Sequence, residues 1–113
     1  MRTPVRALPF ALTLVVLAAC GRSGPTPVEL RPADLVRFAE RYDGEVVATT
    51  GIVHRIAEPE HYWIADDELN RVAVEPRSAV ADRVGERVRV VGRFSFDRSS
   101  GRVIEVRSVS EVE

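Results

Sequence analysis

The chain has 113 residues, 16 of them basic and 17 acidic, for a net charge of −1, and 45% are hydrophobic. That balance excludes a disordered tail and a collagen-like repeat, and it supplies no global pull toward nucleic acid or an anionic membrane. One cysteine excludes an internal disulfide, and two histidines without a second thiol exclude the familiar zinc clusters. What remains is one small domain behind a distinctive leader.

The leader comes first in chain order. Arg2 and Arg6 make a short positive start, and Ala7 to Ala19 form an apolar run of 13 residues. A membrane-crossing helix needs about 20 such residues, whereas the core of a signal peptide needs about 7–15. The run ends in Leu17-Ala18-Ala19-Cys20, followed by Gly21.

Those residues resemble the lipobox of bacterial lipoproteins, in which the cysteine thiol receives a diacylglycerol, cleavage falls just before it, and the new amino group is acylated. The resemblance implies a signal peptide over residues 1–19, lipidation at Cys20 and attachment to a membrane through the acyl chains. Two or more chains give stable anchoring where one does not. Gly21 stands where the inner-membrane retention signal has Asp, which implies the outer membrane of the envelope, facing the periplasm. Loss of Arg2 and Arg6 would leave the acids in excess by three. Cys20→Ser is expected to move the protein out of the membrane fraction. A variant that stays there and resists mild salt overturns the lipobox reading.

Residues 20–31 are rich in Gly and Pro with little to bury, and predict a flexible tether. Leu35, Phe38, Ala39 and Tyr42 then fall at helical spacing behind Pro32, and Asp43-Gly44 stops the run. One short amphipathic helix is expected over 32–42. From Gly44 the period changes to two and β-branched residues dominate. Strands are expected over 45–56, 61–66, 71–75, 86–96 and 102–112. Residues 77–84 form a short helix or helical turn between the third and fourth strands. Gly51 and Gly92 sit inside the two long strands, where a glycine signals a bulge or sharp bend. In the fourth strand Val88, Val90, Phe94 and Phe96 face one side, and Arg87, Arg89, Arg93 and Ser95 the other. Closing such a sheet into a barrel buries the dry face and removes free edges.

Strand order, the helical segment and the two glycine-bent strands resemble the OB-fold. The matching pieces are Thr50-Gly51-Ile52-Val53, Tyr62-Trp63-Ile64, Val72-Ala73-Val74, Gly85 to Gly92, and Val106-Arg107-Ser108-Val109. The resemblance is closest to the anticodon-binding-like OB-fold lipoproteins. The expected fold is therefore mainly β, a five-stranded Greek-key barrel over 32–113, with a short N-terminal helix and a short helix between strands three and four. An SH3-like small barrel is the rival.

The family's usual ligand surface, the face of strands two and three with the adjoining loops, implies His61, Trp63, Arg71, Ala73 and Glu75, with Arg98 at the second loop. A Trp beside an Arg offers a stacking platform for a base or sugar ring. The bland alternative puts Trp63 in the core, and alternation leaves open whether Tyr62 and Ile64 or Trp63 and Ala65 point inward. Glu58, Glu60, Asp66, Asp67 and Glu68 flank the aromatic strand and argue against phosphate binding. The same acids at 66–68 lack the spaced ligands of a calcium loop, so a solvated turn is expected. His54 and His61 sit on successive strands without a third ligand. The OB-fold haem chaperones present a His and a Tyr on a C-terminal segment, and neither residue occurs here after Tyr62. No nucleophile elbow, phosphate loop or acid/base pair stands out, so no catalysis and no cofactor are expected. The Arg87, Arg89 and Arg93 row predicts cross-strand ion pairs.

The expectation is a membrane-anchored periplasmic lipoprotein that binds a protein, glycan or small molecule on the strand two–three face. Two alternatives accompany it: an envelope interaction module and, by fold analogy, a single-stranded nucleic-acid binder.

Overall fold

The computed structural model describes residues 26–113, so the expected signal peptide over 1–19 and the lipidation expected at Cys20 lie outside the described residues. The molecule is mainly β. In chain order it contains β1 (Val28–Glu29), α1 (Pro32–Arg37), α2 (Ala39–Tyr42), β2 (Val46–Ala57), β3 (Glu60–Ala65) and β4 (Arg71–Glu75). Two 3₁₀ turns, Arg77–Ala79 and Ala81–Arg83, precede β5 (Arg87–Asp97) and β6 (Gly101–Glu111). No helix among the described residues is long and apolar enough to cross a membrane.

The strands form one six-stranded sheet in the order β1-β2-β3-β4-β6-β5, and an additional β2–β5 pairing closes it on itself. All pairings are antiparallel except β1–β2 and β4–β6. The sequence predicts five strands, and the sixth comes from the segment expected to be tether. There Val28 pairs with Val47 and Glu29 with Ala48, the Leu30 N–H donates to the Ala48 carbonyl at 2.9 Å, and Leu30 packs against the core.

Alternation decides the inside. Val47, Val53, Ile64, Val72, Val74, Val88, Val90, Phe94 and Ile104 project into the closed sheet and are buried. Leu35 from α1 and Val80 from between the 3₁₀ turns, both 0% exposed, join the same core. At about 25 cal/mol per Å² of apolar surface, each such side chain contributes roughly 1.5–3 kcal/mol.

The predicted helix breaks at Phe38, whose φ of −119° and ψ of 40° end α1 and start α2. Leu35 and Ala39 still face inward, but Phe38 is swung out and is 42% exposed. Both glycines sit at close backbone approaches, and the expected bulge falls at Gly92, while the β2–β5 register runs through Gly51 without a shift. A Cβ on Gly51 would stand 2.8 Å from the Ala65 carbonyl oxygen, and one on Gly92 would stand 2.1 Å from that of Glu105. The β5–β6 register shifts between Val91 and Gly92, as a bulge requires.

The arginine row of β5 is only partly paired. Arg89 bonds to Glu29 of β1, whereas Arg93 donates to the Gly44 carbonyl at 2.6 Å.

Candidate nucleic-acid interface

Tyr62 and Ile64 point inward, at 5% and 0% exposure, so Trp63 points out. This settles the ambiguity of the third strand. The core position belongs to the tyrosine because its hydroxyl can reach the rim, where it donates to Glu60 Oε2 at 2.9 Å. Trp63 is left half-buried on the outer face.

Strand register then builds a row across three strands. Trp63 pairs directly with His54 of β2 and with Ala73 of β4. The His54 and Trp63 rings stack, with centroids 5.8 Å apart and planes 14° from parallel. Arg71 pairs with Ala65, two residues along, and reaches diagonally so that its Cζ lies 4.8 Å from the Trp63 ring centroid. Because β3 lies between β2 and β4, the imidazole and the guanidinium approach the indole from opposite neighbours. The small side chain of Ala73 leaves room beside it. Leu69, 78% exposed and held at φ 67°, extends the apolar end of the row. A left-handed conformation is uncommon for such a residue and is the kind of local strain that clusters at binding sites.

Of the residues implied by the sequence, His61, Trp63, Arg71 and Ala73 line one depression of about 290 Å³. Ser100 and Arg102 complete it from the β5–β6 turn. Arg98 is exposed in that turn and does not line it, and Glu75 lies further along β4 among the residues around Pro76 and Arg77. Arg102, at the start of β6, lines the depression and Arg98 does not. His54 and His61 do not meet, since His61 pairs with Ile56 and His54 with Trp63. The stacking partner His54 could have been found from the hairpin register, but Arg102 could not.

Two of the five flanking acids, Glu60 and Asp66, are occupied. Glu60 accepts from Tyr62 Oη, from Arg55 Nε at 3.4 Å and from Arg77 Nη1. The tyrosine hydrogen bond, with Arg77 and Arg55 behind it, holds the Glu60 carboxyl below its ordinary value. Asp66 Oδ1 accepts from the N–H groups of Glu68 and Asn70, both at 2.9 Å, and Oδ2 from Asn70 Nδ2 at 3.0 Å. Burial pushes the Asp66 carboxyl up, but these donors outweigh it and leave it lowered. Its oxygens thus build the turn. By contrast, neither Arg71 nor Arg102 forms an ion pair among the described residues. The two arginines therefore face the depression as free cations, while the exposed Asp67 and Glu68 stand at the Leu69 end of the row.

The depressed carboxyls give a pH dependence with a definite sign. A carboxylate whose value is lowered by folding contributes stability above its unfolded value, near 4.5 for Glu60, and that stability is lost as pH falls through the folded value. Thermal unfolding between pH 6 and pH 3 is expected to show the midpoint falling only in the acid half, with Glu60→Gln flattening part of the fall. A midpoint that rises on acidification overturns the assignment.

No protein-family model matches the chain, and no curated protein is similar to it. The fold is shared with a solved Stn1–Ten1 complex. The match is to the S. pombe complex, with a TM-score of 0.57 at 15% identity, covering 80% of each chain. At that identity the likeness is one of fold, and the fold is OB-like. It corrects the main functional expectation. A membrane-anchored periplasmic module for a protein, glycan or small molecule gives way, because the similar fold fits the single-strand-binding alternative better. Of the acids that argued against that alternative, Glu60 and Asp66 are engaged, while Glu58, Asp67 and Glu68 stay exposed.

Proposed function

We propose that the domain is a non-catalytic OB-fold barrel that binds single-stranded nucleic acid across the outer face of β2, β3 and β4. Its Greek-key core is the ring β2-β3-β4-β6-β5, with β1 an added edge. The observation that carries the reading is the His54–Trp63–Arg71 row, an outward indole between an imidazole and a guanidinium without an acid partner.

The magnitudes favour a base at this position. An exposed cation–π contact such as Arg71 over Trp63 contributes about 0.5–1 kcal/mol. A base stacked on an aromatic platform contributes about 1–3 kcal/mol. A base therefore displaces the guanidinium at a net gain, and the freed Arg71 is left beside the phosphate that follows. Stacking reads no particular base, since every base has a π-face, so sequence preference is expected to be weak.

Trp63 is the only tryptophan, so its emission reports the site directly. Titrating the full chain with the oligothymidylate dT12 at low salt is expected to quench that emission saturably, with affinity falling as salt rises. Emission and anisotropy unchanged by dT12 at low salt would overturn the proposal. A protein–protein role is the second reading, favoured by one observation: the similar fold was solved as a two-protein complex.

A further inference from the structure

The depression at Trp63 ends at Arg102, and the same guanidinium lines a second depression on its other side. That second depression is lined by Val36, Phe38, Arg41, Phe96 and the exposed Arg37 and Glu40, so it joins the helical break to the β5–β6 hairpin. Arg102 pairs with Phe96 across the hairpin, which fixes it between the two sites. Its Nε is buried with no hydrogen-bond partner among the described residues.

Phe38 is unusual in two respects. It is 42% exposed although the helical spacing would put it in the core, and two guanidinium groups attend it. Arg37 Cζ lies 5.7 Å and Arg41 Cζ 5.4 Å from its ring centroid. None of Arg37, Arg41 and Arg102 forms an ion pair among the described residues. An aromatic ring attended by three guanidinium groups against the single acid Glu40 repeats the chemistry of the Trp63 row at a place outside the strand face.

We infer that a single strand stacked on Trp63 continues over Arg102 and sets a further base on Phe38, with the connecting phosphates held by Arg102, Arg37 and Arg41. This rests on the single-strand reading above and gives it a direction. At the other end of the Trp63 row the exposed Asp67 and Glu68 carry negative charge, so the backbone leaves toward Arg102 and α2. Barrels of this type occupy about 4–16 nucleotides, enough to span two platforms.

The test compares fluorescein-labelled dT2, long enough for one platform, with dT12, using the full chain and anisotropy. Phe38→Ala is expected to weaken dT12 binding about tenfold and to leave dT2 unchanged. Arg37→Ala with Arg41→Ala is expected to reduce the slope of log affinity against log salt by about 1.4 for dT12. Thermal midpoints of both variants check that the barrel is intact. Equal losses on dT2 and dT12 would mean that Phe38 acts through the barrel, and would overturn the path. Unchanged dT12 binding in both variants, with Trp63→Ala weakened, overturns the path alone and leaves the Phe38 face to a protein partner. No binding of either probe by the unaltered chain overturns both the path and the single-strand reading.

Discussion

Trp63→Ala is expected to weaken dT12 binding by about fivefold to 150-fold while leaving the fold intact. The range follows from base–aromatic stacking, about 1–3 kcal/mol per base by alanine substitution. The fold is expected to survive because the core is filled by Tyr62 and Ile64 on either side, and Trp63 stands outside it. Trp63→Phe keeps a π-face and should retain most of the affinity. Arg71→Ala tests the other half of the site. If the guanidinium meets phosphate once a base displaces it, the salt slope drops by about 0.7. Trp63→Ala should leave that slope unchanged, because an indole releases no counterion. Full dT12 affinity in Trp63→Ala would exclude this face as the platform, and a shared loss of slope would mean that ring and guanidinium act as one unit.

How far the sequence foresees this site depends on the kind of signal each residue gives. Alternation in Val88, Val90 and Phe94 needs only period two and a closed sheet, so the core of β5 is legible from the chain alone. The orientation of Trp63 is not, because Tyr62 and Trp63 are both aromatic and a one-residue slip exchanges them. What decides it is the rim contact of the Tyr62 hydroxyl with Glu60, itself held by Arg77 from 17 residues away. Long-range pairing of that kind leaves no local pattern.

Charge misleads for the same reason. Glu58, Glu60, Asp66, Asp67 and Glu68 read alike in the sequence, but three arginine and tyrosine donors occupy Glu60 and the turn amides occupy Asp66, which leaves Glu58, Asp67 and Glu68 as the exposed acids. Phe38 shows the limit of helical periodicity. Its spacing from Leu35 fits a continuous helix, but the chain must turn into β2 within a few residues, and the break at Phe38 re-aims the ring toward solvent.

The largest loss of stability is expected from Gly92→Ala. Gly92 lies on β5 at the register shift with β6, and it is paired on its other side with Val47 of β2. A methyl group there would meet the Glu105 carbonyl oxygen at 2.1 Å and its carbon at 2.8 Å. Those are backbone atoms of a strand bonded on both sides, so no rotamer change relieves the overlap. Overpacking of this kind costs about 1–3 kcal/mol. The rigid backbone neighbour places this case at the upper end, which for a domain of this size lowers Tm by about 12–24 °C. Gly44→Ala provides the contrast: its φ of +91° is strained for alanine, yet nothing lies within 4 Å of the added methyl, so its cost is conformational alone and smaller. The consequence reaches the binding face. β5 and β6 carry the turn that places Ser100 and Arg102, so relief of the overlap by slippage at the bulge would shift Arg102 relative to Trp63. Gly92→Ala protein held well below its own midpoint is therefore expected to bind dT12 more weakly than the unaltered chain. An unchanged midpoint would mean that β5 and β6 do not approach as closely as the closed sheet requires.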